Sequence, residues 1–157
     1  MQTIDHKSKK DSMERVIRRY FEGCNEASFD KMVSCFIPDA IHYFPPDMYD
    51  GPWEGATKIA NGWIDAVNKI GSYWTIDNII VDTEKDEAVI EWTHFKTKLG
   101  ITLRGAEWYL FDKSTGLIKK LWAYYASPQD KNLNTLELKG MDYLSRGFPK
   151  SPPAGQR

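Results

Sequence analysis

Two residues on neighbouring aromatic-rich runs have side chains suited to acid–base chemistry: His94, within EAVIEWTHFK, and Glu107, within ITLRGAEWYLF. An imidazole titrates near neutrality, and a carboxylate enclosed by apolar groups must find a partner or change its proton affinity. Either one could therefore move protons at neutral pH. Period-two alternation puts Trp92 and His94 on one side of the first run, with Glu91 and Thr93 on the other. In the second run Gly105, Glu107, Tyr109 and Phe111 share one side, and Arg104, Ala106, Trp108 and Leu110 the other. His94 and Glu107 are expected to face one cavity, where a hydrogen bond between them would hold the imidazole in one tautomer. The plain alternatives are a core histidine satisfied by a backbone carbonyl, and a structural pairing of Glu107 with His94 or a lysine.

Further aromatic and polar side chains fall where they could line such a cavity: His42, Phe44, Trp63, Trp74, Trp92, Tyr109 and Tyr125. His42 and Phe44 sit two apart on a short strand, hence on one face. For His42 the plain alternative is packing or half-exposure at a strand end, and for the aromatic stripe simple core. Asn25, near the end of the first helix, reads as a C-terminal cap. His6 lies in a polar leader and receives no role.

The elements that must position these residues follow from periodicity. Residues 1–10 lack apolar periodicity and read as a flexible leader. Asp11 and Glu14 resemble a capping box, after which Met13, Val16, Ile17, Tyr20, Phe21 and Cys24 recur at helical spacing. Ser28 caps a short second helix through Phe29, Met32, Val33 and Phe36, which Pro38-Asp39 ends. A strand spans 40–44, and a Pro- and Gly-rich loop runs over 45–53. A third helix then carries Ile59, Trp63, Ala66, Val67 and Ile70 and ends at Gly71. Residues 73–82 read as a strand leading into a three-stranded antiparallel meander over 87–125, with turns at Leu99-Gly100 and 112–116. A short helix is expected within NTLELKGMDYLSRG. The expected organisation is a leader (1–10), one domain (11–128) and a C-terminal segment (129–157) that covers either the pocket or an outer sheet face. Helices segregated from one antiparallel sheet mean an α+β fold, a curved sheet with helices closing its concave face.

The formal net charge of −1, from 21 basic and 22 acidic residues mixed along the chain, provides no basic footprint for nucleic acid or anionic membrane. Three scattered His and two Cys give none of the short spacings of zinc sites, and no phosphate loop, dinucleotide fingerprint or nucleophile elbow is present. No metal and no cofactor are therefore expected. Cys24 and Cys35 read as buried small hydrophobes, and with no signal-like N-terminus a cytoplasmic location is expected. Trp108, Leu110, Trp122 and Tyr124 fall on the side opposite Glu107, an apolar patch that points to a homodimer through the outer sheet face.

The run RRYFEGCNEASFDKMVSCFIPDAIHYFPPD, the Gly-bearing loop and helix after it, and the final strand, Gly116 turn and strand together resemble the cone-shaped fold of the nuclear transport factor 2-like superfamily. The similarity spans about residues 12–126 and is nearest to the SnoaL-like polyketide cyclases, ketosteroid isomerases and dehydratase relatives. The resemblance implies that Tyr20 stands where ketosteroid isomerases hold their oxyanion-hole tyrosine, and Glu107 where they hold a protonated acid. Phe44 occupies the place of their catalytic aspartate, which argues against the steroid isomerase reaction with its usual base. His94 with Glu107 is similar to the His and Asp pair of SnoaL-like cyclases. Arg104 could suggest an epoxide hydrolase pattern, but alternation points it away from Glu107. The expected function is a cofactor-independent lyase or isomerase on a hydrophobic carbonyl- or hydroxyl-bearing small molecule, with His94, Glu107 and Tyr20 catalytic. Non-catalytic binding or dimerisation, and epoxide-type hydrolysis, are the rival readings.

Overall fold

A computed structural model describes residues 2–45, 48–125, 135–136, 144–145 and 147–153. Three helices, α1 (Gln2–Glu26), α2 (Phe29–Val33) and α3 (Ala56–Ile70), combine with strands β1 (Phe36–Tyr43), β2 (Trp53–Glu54), β3 (Ser72–Asp82), β4 (Glu87–Lys96), β5 (Ile101–Phe111), β6 (Ile118–Tyr124) and β7 (Thr135–Leu136). The sheet runs β2-β1-β6-β5-β4-β3, with β7 added to β5. It is curved and unclosed, and register shifts lie between Phe36 and Ile41, between Ile76 and Asn78, and between Leu110 and Phe111. The fold is α+β, as the segregation of helical and alternating patterns requires.

The core lies between the helices and the inner sheet face. The α1 stripe of Met13, Ile17, Tyr20, Phe21 and Cys24 is buried against Ile59 and Ala60 of α3 and the inward row Ile90, Leu103, Tyr109, Ile118 and Leu121. Each such aliphatic side chain contributes about 1.5–3 kcal/mol by leaving water. Ser28 caps α2 by accepting from the Lys31 N–H, and Gly71 ends α3 in the left-handed conformation, φ 67°, its N–H bonded to the Val67 carbonyl.

Several local expectations are corrected. Helix α1 starts at Gln2, well before the Asp11 capping box, so the leader is helical from its second residue. Its first turns are tied to the β3–β4 turn: Lys9 Nζ pairs with Asp86 at 2.6 Å and donates to the Thr83 carbonyl, and His6 Nδ1 lies 3.1 Å from Thr83 Oγ1. The Asn25 side-chain amide clasps the Trp74 backbone, accepting from N–H and donating to C=O, both at 2.8 Å, and so ties the end of α1 to β3. Helix α2 stops at Val33, and β1 begins at Phe36 and passes through Pro38. A proline is tolerated there because the β1–β6 register breaks between Phe36 and Ile41. Strand β1 joins β6 in parallel, as β7 joins β5, where a wholly antiparallel sheet was expected, and β2 forms at the end of the expected loop. Thr135 and Leu136 extend beside Thr102 and Leu103, where β6 no longer covers β5, so they are not helical. Most of the expected C-terminal segment lies outside the described residues.

Gly105 connects this framework to the cavity. A Cβ there would stand 2.6 Å from Trp92 Cζ2 and 2.9 Å from the Tyr124 carbonyl, so the missing side chain is what lets the Trp92 indole lie across β5. Gly105→Ala is expected to cost about 1–3 kcal/mol and to displace Trp92, measurable by urea denaturation and by a shifted tryptophan emission.

Candidate functional site

The inner sheet face and the helices enclose a cavity of about 60 Å³ whose lining includes Tyr20, His42, Phe44, Trp63, Trp74, Trp92, His94, Glu107 and Tyr125. His94 and Glu107 do share this cavity, but they stand at different places along it. Glu107 is opposite Ile90 across β4, and His94 is four residues further on, roughly 13 Å along the strand.

The partner of Glu107 is His42. His42 Nε2 lies 3.0 Å from Glu107 Oε1, and Tyr109 donates its hydroxyl to Oε2 at 2.8 Å. All three side chains are buried, His42 and Tyr109 to 1% and 0% residual exposure. The topology explains the contact. Strands β1 and β5 flank β6, where Leu121 faces His42 and Ala123 faces Glu107, and the small Ala123 leaves the space over which the two long side chains meet. The other ring nitrogen, Nδ1, lies 3.0 Å from the Tyr43 carbonyl oxygen. A carbonyl only accepts, so Nδ1 carries a proton. The Nε2–Oε1 contact then holds a single proton, as imidazolium with carboxylate or as imidazole with carboxylic acid. In both forms the pair is neutral overall, which is what an aromatic cavity requires. Phe44 stacks on the imidazole at 3.9 Å and 9°, holding the ring in plane.

Tyr20 reaches the same cavity from α1 and accepts from Trp63 Nε1 at 2.5 Å. Burial, then the neighbouring Cys24 and Glu107, push its proton affinity well above that of an ordinary phenol, so it stays a protonated donor. Tyr109 is raised in the same way by burial and Glu107. It belongs behind the carboxylate and not on the cavity wall. Cys24 and Cys35 are buried free thiols, Cys35 pushed up to about 11 mainly by burial, so both behave as small hydrophobes.

His94 forms the second polar point. Its Nε2 lies 2.8 Å from Ser72 Oγ, and Trp74 stacks on the ring at 4.4 Å and 19°. Trp74 in turn meets Trp63 at 5.2 Å, and Trp63 meets Trp53 at 4.8 Å, so one continuous aromatic wall joins the two polar points. Trp92 and Tyr125 close the other side, 5.4 Å apart. Met48 and Tyr49 line the cavity from the loop after β1, the loop 45–53 that was expected to border the pocket mouth, whereas sequence reasoning missed Lys96, which also lines it. The alternation Trp92, His94, Lys96 was the available signal for the lysine. Arg104 points outward, as alternation implies. It donates to Thr93 and to the Pro149 carbonyl and lies over the Phe148 ring, taking no part in the cavity.

Glu107→Ala would leave His42 Nε2 and the Tyr109 hydroxyl facing an empty space. Breaking a buried pair on one side costs roughly 3–5 kcal/mol, whereas Glu107→Gln, which can still bond to both, should cost less. Chemical denaturation of the two variants gives the comparison.

Among proteins with curated functions, none matches this chain. Among solved structures, a protein of unknown function with a cystatin-like fold from Methylobium petroleophilum PM1 is 52% identical, covering 91% of this chain and 94% of that one with a TM-score of 0.74. A protein assigned as a polyketide cyclase from Sinorhizobium meliloti shares 18% identity over 72% of this chain and 98% of its own, TM-score 0.59. The epoxide hydrolase/cyclase-like enzyme SalBIII, of pyran ring formation in salinomycin, shares 13% over 74% and 92%, TM-score 0.59. These last two show likeness of fold alone. The model of the SnoaL-like domain matches residues 17–121, two-thirds of the chain, from within α1 into β6, and the protein therefore belongs to the SnoaL-like domain family.

Proposed function

We propose that the protein is a cofactor-independent acid–base enzyme, a cyclase, isomerase or dehydratase acting on a hydrophobic molecule that carries a carbonyl or hydroxyl group. The observation that carries this reading is the one-proton pair of His42 and Glu107 in the wall of an aromatic cavity, with Tyr20 beside it. With the pair as imidazolium and carboxylate, Glu107 Oε1 would take a proton from the substrate and return it from the carboxylic acid so formed, His42 remaining protonated as the counter-charge to the developing anion, while Tyr109 keeps the second carboxylate oxygen oriented. Tyr20, kept protonated by its surroundings, would donate to a developing oxyanion. His94 would hold a second polar group of the substrate from the Ser72 end. Proteins assigned as a polyketide cyclase and as an epoxide hydrolase/cyclase-like enzyme share this fold, and the reading takes its class of chemistry from that likeness of fold.

A ligand-sized pocket runs to about 300–1,000 Å³, so a substrate would widen the cavity from its open edge, where Met48 and the 41%-exposed Tyr49 stand. The small volume, with both Glu107 oxygens already bonded, favours a second reading in which the cavity binds a ligand without turning it over. Buried, unpaired Cys24 and Cys35 suit a reducing cytoplasm.

Exchange of α-protons into deuterium oxide separates the two readings, with the bicyclic ketone 2-tetralone as probe and proton NMR as readout. Catalysed exchange is expected. Glu107→Gln should lower it about 10²–10⁴-fold and Tyr20→Phe about 10²-fold, both proteins remaining folded. Saturable binding without accelerated exchange, or exchange indifferent to Glu107→Gln, would support the binding module.

The outer sheet face supports a homodimer: Trp108, Tyr43 and Tyr124 are 38%, 39% and 62% exposed. The contact of Phe148 and Pro149 with Arg104 covers a different part of that face. Sedimentation at micromolar concentration should give a dimer that Trp108→Glu with Tyr124→Glu dissociates; a monomeric native protein would contradict this.

A further inference from the structure

Lys96 differs from the other lysines whose contacts are defined. Lys9, Lys10, Lys31, Lys69 and Lys85 each pair with a carboxylate, at 2.6, 3.9, 2.7, 2.8 and 3.5 Å, and Lys98 donates to the Asn68 carbonyl. Among the described residues Lys96 has no such partner, although its side chain is half-buried and lines the cavity. It is the last residue of β4, on the inward row with Trp92 and His94, and its cross-strand neighbour is Ser72. Burial lowers its proton affinity, and among the described residues no acidic neighbour offsets the charge. A half-buried ammonium without a counter-charge is a cost that a structural role does not explain. At the same place stand the Ser72 hydroxyl and the His94 ring, 2.8 Å apart.

We propose that Lys96, Ser72 and His94 form a recognition site for a carboxylate, so that the ligand is an amphipathic acid whose anionic group sits at the Ser72 end and whose apolar body lies along the Trp63–Trp74 wall toward Glu107. The reacting or recognised carbonyl would then be separated from the acid group by the spacing of the two polar points. His94 and Glu107 stand four positions apart in register, roughly 13 Å along the strand, which a two- or three-ring skeleton or an extended chain of comparable length spans. The charge pattern fits this orientation. A carboxylate placed instead at the Glu107 end would meet a neutral pair that already contains an acidic group, whereas at the Ser72 end it neutralises the unpaired cation.

This inference rests on the reading of the cavity as a small-molecule site and not on catalysis, so its test is a binding measurement. 2-Naphthoate and its neutral counterpart 2-naphthylmethanol share one ring system and differ in charge, and quenching of tryptophan emission reports both. The native protein should bind the carboxylate about tenfold more tightly or better, the size expected of one partly buried charge pair. Lys96→Met, which keeps the length of the side chain, should abolish that preference by weakening the carboxylate far more than the alcohol, and Lys96→Arg should retain it. Equal affinities in the native protein, a preference that survives Lys96→Met, or no binding of 2-naphthoate at millimolar concentration would each overturn the proposal. Loss of 2-tetralone exchange with the preference intact would instead count against the catalytic reading alone.

Discussion

A carboxylate cannot remain charged and alone among aromatic rings, and much of this protein's arrangement follows from how Glu107 avoids that condition. Transfer of an isolated carboxylate into so dry a site would cost several kcal/mol even after relaxation. Here the cost is offset by one imidazole and one phenol, His42 and Tyr109, with the tautomer of the imidazole set by the Tyr43 carbonyl. The result is a group that is electrically neutral yet carries a transferable proton. Replacing either partner by an apolar group would remove the proton's second site, so the pair's polarity is tied to what it can do and not only to how the core is held.

The sheet topology serves this contact. His42 reaches Glu107 only because β1 enters in parallel beside β6, and because β6 presents Ala123 between them. Parallel addition needs a long connection between β1 and β6, and the chain supplies it with β2, α3 and the β3–β5 meander. Helix α1 closes the cavity with Tyr20 and is anchored at both ends, through Lys9 to the β3–β4 turn and through Asn25 to the Trp74 backbone. Trp74 therefore connects the helix layer to the His94 point, on which it stacks. Motion of α1 would disturb both polar points together, a form of coupling that arises from packing alone.

How much of this was legible in the sequence depended on the range of the interactions concerned. The meander, α3 with its Gly71 terminus, the Ser28 cap and the two faces of β5 are local consequences of alternation, helical spacing and turn chemistry, and they stand as read. The burial of Glu107 was legible for the same reason. Its partner was not: His42 and Glu107 are 65 positions apart, and the strand pairing that unites them is parallel, whereas the periodicity pointed to a wholly antiparallel sheet. His94 was the nearer histidine in sequence and shares the cavity, yet strand register separates it from the carboxylate. The helical start of α1 was likewise hidden, because a polar leader becomes helical through Lys9 and its contact with a distant turn. Tyr109 faces inward as expected but serves the carboxylate from behind, a distinction that alternation cannot make.

Two polar points joined by an aromatic wall, one neutral and proton-bearing, the other cationic, describe a cavity suited to an oriented amphipathic ligand. The central element is the single shared proton, and nitrogen-15 NMR of His42 measures it most directly. With Nδ1 bonded to the Tyr43 carbonyl and Nε2 to Glu107, the account predicts a directly attached proton on Nδ1 in the native protein and a changed Nε2 shift when Glu107 is replaced by Gln. An unprotonated Nδ1 with the proton fixed on Nε2 would contradict it.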